Sequence, residues 1–280
     1  MTTPMTMHWL PSPTETRRMT TEELRAAFLV RGLFVPGAVT LRHVDLDRVV
    51  LGGAVPLQTP LALEAPESLG AEYFTERREL GVLNIGGPGT VSVDGRPHAL
   101  AARDVLYVGR GHRTVAFASD DPSRPARFYL VSYPAQADYS VALVRRADAE
   151  GAEIGSGERA NRRRVARYVH LDGARSAQLV MGVTVLEPGS VWNTMPAHTH
   201  HRRTEVYLYF DLPEDAMVVH LMGEPTETRH LVVRDGDVVL SPGWSIHSGC
   251  GTASYSFCWA MGGENQLYTD MQVVDMGTIR

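Results

Sequence analysis

From about residue 33 the apolar positions fall in short runs rich in Val, Leu, Ile and Tyr, cut apart by Gly, Pro and Asp. Examples are "AVTLRHVDLDRVVLGGAVPL", "LGVLNIGG", "TVSVDG", "DVLYVGRG", "TVAFAS" and "RFYLVSYP". Runs this short, with turn residues between them, predict antiparallel strands arranged as a sandwich or barrel. The first 18 residues hold three prolines and many threonines and read as an extended arm. "TTEELRAAFLV" then places Thr20 three residues before Glu23, a capping box, with Leu24 and Phe28 one helical turn apart. This predicts a short amphipathic helix.

The stretch 148–167, "DAEGAEIGSGERANRRRVAR", lacks strand texture and reads as a connection. Strand texture resumes in "QLVMGVTVLEPGSVW", "EVYLYFDL", "AMVVHLM", "RHLVVRDGDVVLSPG" and "YSFCWAMGG". The two halves also resemble each other. "FTERRELGVLNI" (Phe74 to Ile85) parallels "HHRRTEVYLYF" (His200 to Phe210), and "RDVLYVGRGH" (Arg103 to His112) parallels "GDVVLSPGWSIH" (Gly236 to His247). A repeat of this kind predicts two copies of one β unit. The expected fold is therefore all-β: an arm and helix over 1–32, a first barrel over 33–147, a linker over 148–167 and a second barrel over 168–280.

Composition changes this picture little. The chain is 44% hydrophobic and 21% charged with a formal net charge of -5, so it has no excess of cations for neutralising nucleic-acid phosphates. Two cysteines, Cys250 and Cys258, make no disulfide framework and suit a reducing compartment. "MTTPMTMHWLPSPTETRR" has no apolar signal core, and no run of about 18 apolar residues occurs, so the expected location is the cytoplasm. "GGPGTVSVDG" is glycine-rich, but a proline interrupts it and strand texture follows, so it reads as a turn rather than a phosphate loop.

The chemistry concentrates in "MPAHTHHRRTEVYLYF", Met195 to Phe210. On a strand, alternation turns His198 and His200 to one face and Thr199 and His201 to the other. Glu205 follows His200 at an odd offset, so a turn at "HRRT" must intervene before its carboxylate joins them. A fourth ligand comes from "GDVVLSPGWSIHSG", where His247 follows a Pro242-Gly243 corner. With 11 histidines in the chain, His-x-His alone carries little weight; the three-part set in strand context carries much more. Three imidazoles and a carboxylate suit zinc, iron, manganese or nickel and leave positions open, unlike a closed cysteine site.

These residues follow the two-part cupin pattern, G-x-H-x-H-x(3,4)-E and G-x5-P-x-G-x2-H. Gly189 lies farther upstream than usual and Gly243 is displaced by one. Closer still, "QLVMGVTVLEPGSVWNTMPAHTHHRRTEVYLYFDL", "TRHLVVRDGDVVLSPGWSIHSG", "GENQLYTDM", "DRVVLGGAVP" and "YFTERRELGVLNIGGPGTVSVDG" resemble the 5-keto-4-deoxyuronate isomerase family. The likeness covers most of the chain from about residue 20. It implies a bicupin of two jelly-roll barrels, one zinc ion per subunit on His198, His200, Glu205 and His247, and a hexamer. Thr75, Glu76 and Glu79 stand where the first copy's ligands would be, implying a first barrel without metal.

The family reaction is an aldose–ketose shift of a keto-deoxyuronate in the breakdown of pectin and related polymers. It needs a proton moved between adjacent carbons through an enediolate, with a Lewis acid on the oxygens and a general base. Glu205 and a solvent-derived hydroxide both qualify as the base. A guanidinium best receives the substrate carboxylate, and Arg163, Arg164, Arg202, Arg203 and Arg229 are the candidates. Tyr207 and Tyr209 share a strand face, Tyr209 being a core or interface residue; Glu264 and Gln266 are within sequence reach of the site. Three other activities use similar sites: 5-deoxyglucuronate isomerisation, iron-dependent oxygenation, and sugar binding without turnover.

Overall fold

The structure is a computed structural model that describes residues 6–264 and 267–280. It divides into two compact units. The first takes in the chain up to His8, Gly32–Ala149 and Tyr168–Val180; the second takes in Trp9–Arg31, Glu150–Arg167 and the chain from Met181 on. Among the described residues no helix is long and apolar enough to cross a membrane.

The first unit holds two sheets. One has seven strands in the order Met7–His8, Val39–Val44, Val50–Ala54, Phe128–Pro134, Arg78–Asn84, Val105–Val108, Ala142–Val144. The other has four, Leu61–Ala62, Val115–Ser119, Gly89–Val93 and Arg96–Leu100. Strand Gly89–Val93 alternates buried and half-buried, so Val91 and Val93 enter the core with Phe117, Leu80, Val82 and Leu130. Asp94 and Gly95 join two of these strands with φ of 48° and 79°. Positive φ at both positions is what a two-residue primed hairpin demands, and Asp-Gly meets that demand.

The second unit repeats the plan. Its seven-stranded sheet runs Glu150–Ile154, Arg163–Val169, Val180–Leu186, Ser256–Gly263, Arg203–Phe210, Val238–Ser241, Leu29–Val30. Its four-stranded sheet runs Trp192–Asn193, Ser248–Gly251, Val218–Glu224, Glu227–Val233. A two-stranded ribbon pairs His198–Thr199 with Gln272–Val273. The architecture is all-β with few helices, as the apolar pattern predicts, and each sheet is an open one.

Three local expectations meet different outcomes. Helix Thr21–Phe28 forms with Thr20 as its cap, both bonds of the box present, and Leu24 and Phe28 buried. The arm is not wholly extended, because "SPTE" builds a second capping box that starts helix Pro13–Thr16. The stretch 148–167 differs most. Glu150–Ile154 and Arg163–Val169 are paired antiparallel strands of the second unit. Glu150–Ile154 is exposed along its whole length, as an edge strand, so it carries charge and glycine in place of the apolar alternation that marks a buried strand. The segment Trp9–Arg31 likewise belongs to the second unit: Leu29 and Val30 extend its sheet beside Val239 and Val238, and Phe28 meets Trp244 edge-on.

Candidate metal centre

The odd spacing between His200 and Glu205 resolves as a turn. Residues 201 and 202 form it, and the central strand begins at Arg203. Arg203, Glu205, Tyr207 and Tyr209 then share one face by alternation. Glu205 sits at the register of Ser241 on one neighbour and Met261 on the other. His247 arrives after the Pro242-Gly243 corner. A Cβ at Gly243 would lie 2.4 Å from the His200 carbonyl oxygen, so only glycine lets the two ligand-bearing segments approach this closely.

The outcome is a tight cluster. The ligand atoms of His198, His200, Glu205 and His247 all lie within 4.8 Å of one another, and all but His198 are buried. His200 Nε2 is 2.9 Å and His247 Nε2 3.1 Å from Glu205 Oε2, while His247 Nε2 is 3.0 Å from His198 Nε2. The outer nitrogens have their own partners. His200 Nδ1 is 3.2 Å from the Asp270 carbonyl oxygen and 3.4 Å from Arg203 Nε, and His247 Nδ1 is 3.1 Å from Ser241 Oγ. For His247, Nδ1–H donating to Ser241 turns the Nε2 lone pair to the cluster, the usual supporting arrangement for metal-bound histidine. Burial pushes His198 down to about 4. His247 is held well below the ordinary histidine value by burial and by the neighbouring His198 and His200. Both are thus neutral near pH 7, the form that ligates. The donor set fits a divalent cation.

The cluster opens on a cavity of about 240 Å³ lined by Arg163, Thr194, Tyr207, Trp259, Tyr268 and Met271 among others. The walls are largely apolar and aromatic. Tyr207 is pushed up by burial and by Glu205, and its ring lies 5.3 Å from that of His247. Tyr268 is raised by the same two causes and packs on Trp259 with ring centroids 5.1 Å apart. Trp259 itself is fixed by its indole N–H, which donates to Thr184 Oγ1 at 3.1 Å.

Of the five candidate arginines the structure brings Arg163 alone to the cavity wall. Arg163 is 8% exposed, donates to the Asn161 carbonyl, and makes no ion pair among the described residues. Burial lowers its pKa, which marks a cation short of compensation. Arg203 is buried, but its guanidinium is spent on the carbonyls of Leu267, Tyr268 and Asp270. Arg202 is exposed and faces Glu264 and Asp270. Arg229 lies on the four-stranded sheet, tied to Glu227 and the Arg17 carbonyl, and Arg164 is exposed. Arginine spacing alone could not separate these five, because what distinguishes them is the strand face that Arg163, Arg164, Arg203 and Arg229 occupy and the turn that holds Arg202. Glu264 is exposed, and Gln266 lies outside the described residues. His201 is exposed and its backbone N–H donates to Gln272 Oε1.

The first unit's counterparts are engaged in other ways. Glu79 is fully buried and accepts from the N–H groups of Ala177, Gln178 and Leu179 and from the Tyr107 hydroxyl. Thr75 donates to the His112 carbonyl, and Glu76 accepts from the Glu72 N–H.

Residues 37–276 match the model of the KduI/IolB family. The chain belongs to that family. Relatives named 4-deoxy-L-threo-5-hexosulose-uronate ketol-isomerase align along nearly its whole length. The Kineococcus radiotolerans protein is 52% identical over 279 residues, covering 99% of this chain and 100% of the relative. Those of Opitutus terrae and Halalkalibacterium halodurans are 51% and 50% identical over 278 and 276 residues, with the same coverage. Among solved structures, an IolB-like protein of Salmonella typhimurium superposes with a TM-score of 0.68 at 13% identity, covering 88% of this chain and 96% of that one. The oxalate decarboxylase of Lactobacillus farciminis gives 0.59 at 11% identity, covering 88% and 89%. At such identities these two structures show a shared fold, which is cupin-like.

Proposed function

We propose that this KduI/IolB-family protein is a metal-dependent ketol-isomerase. Its substrate is 5-dehydro-4-deoxy-D-glucuronate (4-deoxy-L-threo-5-hexosulose uronate) and its product 3-deoxy-D-glycero-2,5-hexodiulosonate, in the breakdown of pectin and related uronate polymers. The observation that carries this reading is the three-histidine, one-glutamate cluster at the base of a cavity whose wall holds one uncompensated arginine. The names of relatives at 50–52% identity point the same way and favour this substrate over 5-deoxyglucuronate.

His198, His200, Glu205 and His247 would hold the cation, zinc in this reading and one per subunit. Bound there, it would supply Lewis-acid stabilisation of negative charge developing on the substrate. The chain's own groups do the rest. Arg163 receives the carboxylate as a fork of donors, which fixes the sugar chain's direction in the cavity. Trp259, Tyr268 and Met271 exclude water from the reacting carbons. Glu205 is the one carboxylate among the described residues that line the cavity, and it carries the proton between the two carbons. In the same reading each unit is one cupin barrel, the assembly is a hexamer and the enzyme works in the cytoplasm. Incubation with the unsaturated product of a uronate lyase, followed by NMR, tests the activity.

A further inference from the structure

The segment from Leu267 to Arg280 crosses the candidate metal centre as a strap. Its middle pairs with the ligand segment: His198 and Thr199 lie at the register of Val273 and Gln272, and the Val274 N–H donates to the Ala197 carbonyl at 2.9 Å. Its far end is pinned to a hairpin, where the Arg280 N–H donates to the Pro225 carbonyl and the Thr228 N–H to the Arg280 carbonyl. Its near end is held by Arg203, whose guanidinium donates to the carbonyls of Leu267, Tyr268 and Asp270. Arg203 stands two residues before Glu205 on the same strand face; its Nε lies 3.4 Å from His200 Nδ1, and the Asp270 carbonyl it grips lies 3.2 Å from the same nitrogen. The strap also supplies Tyr268, Met271 and Val273 to the cavity wall.

We infer that Arg203 is a positioning residue: it latches the C-terminal strap onto the strand that carries Glu205, and together with the Asp270 carbonyl it orients His200 for the cation. A guanidinium suits this task because its planar fork sets donors on separate nitrogens, Nη1 on Leu267 and Nη2 on Tyr268 and Asp270, whereas an ammonium crowds its three donors on one atom. The strap touches two of the four ligands, His198 by strand pairing and His200 by hydrogen bond. Cation binding and ordering of the strap are therefore coupled, each stabilising the other. The inference rests on reading the four-residue cluster as a metal site; it does not depend on which substrate the enzyme takes.

The test compares the full-length zinc-loaded protein with Arg203→Gln and Arg203→Lys. Zinc affinity is measured by competition with a chromophoric chelator, and strap order by hydrogen exchange at residues 271–274. Groups that orient ligands typically change metal affinity by about ten- to hundredfold when removed. A loss of that size is expected for Arg203→Gln, together with faster exchange in the strap and unchanged exchange in Arg203–Phe210. Arg203→Lys, which keeps the charge but not the fork, should fall between. Native zinc affinity in Arg203→Gln would overturn the inference. Should that variant fail to fold, the native protein decides the matter: zinc removal is expected to speed exchange at 271–274 selectively, and equal protection with and without zinc would overturn it. Absence of isomerase turnover, by contrast, would count against the proposed reaction and leave these readouts unaffected.

Discussion

The Nε2 atoms of His198 and His247 stand 3.0 Å apart with their rings at 89° to each other, although the two residues lie on separate segments. Both imidazoles are held neutral by burial. Neutral nitrogens brought this close present their lone pairs to one point, and Glu205 adds negative charge there. Replacing His247 by Ala should remove one of four ligands, release the cation and abolish isomerisation. Far-UV circular dichroism should stay native, because the sheets do not depend on that side chain. Turnover retained by metal-depleted His247→Ala protein would contradict this.

In the proposed reading Arg163, on the cavity wall, receives the substrate carboxylate, while Arg203 donates to the strap carbonyls. Arg163→Gln should raise KM by roughly 10- to 150-fold, the range for losing hydrogen bonds to a charged group. The same change should matter little for an analogue whose carboxylate is replaced by an amide. Equal effects on both compounds would show that Arg163 does not meet the carboxylate.

Much of the site is legible in the sequence because strand periodicity and turn residues carry it. His198 and His200 share a face by alternation, the turn before Arg203 returns Glu205 to that face, and the Pro242-Gly243 corner delivers His247. The capping box of Thr20 and Glu23 is legible for the same reason: its bonds are local. What stays hidden is long-range. Nothing local says that Gln272–Val273 will pair with His198–Thr199, or that the exposed, charged segment Glu150–Ile154 will be a sheet edge. Arg163 and Arg203 look alike in sequence, and only the register of their strands gives one to the cavity and the other to backbone carbonyls.

Glu79 tests the first unit. Its carboxylate satisfies three backbone N–H groups and the Tyr107 hydroxyl at a fully buried position. Glu79→Leu would leave those donors without an acceptor. A loss of about 3–5 kcal/mol is expected, read from the denaturant midpoint. A loss below about 1 kcal/mol would show that the 177–179 segment finds other acceptors.

His43 supplies a pH test away from the candidate metal centre. Burial, with help from Arg78 and Arg48 and against Asp45, lowers it from 6.5 to about 4. Between these two values the unfolded chain binds a proton that the folded chain refuses, so stability falls as pH falls through that window. Above it the residue contributes no pH dependence. Melting temperature plotted against pH should therefore decline less steeply between 6.5 and 4 in His43→Leu than in the native protein. Parallel curves would show that His43 titrates normally in the folded state.

Four convergent side chains make this chain a metal-dependent isomerase in the proposed reading. The most direct measurement incubates zinc-loaded protein with 4-deoxy-L-threo-5-hexosulose uronate and follows the sugar by NMR, beside the same protein stripped by chelation. The expected result is 3-deoxy-D-glycero-2,5-hexodiulosonate from the loaded protein, none from the stripped one, and recovery when zinc returns. Substrate left unchanged by the loaded protein, or converted equally well without metal, would contradict it.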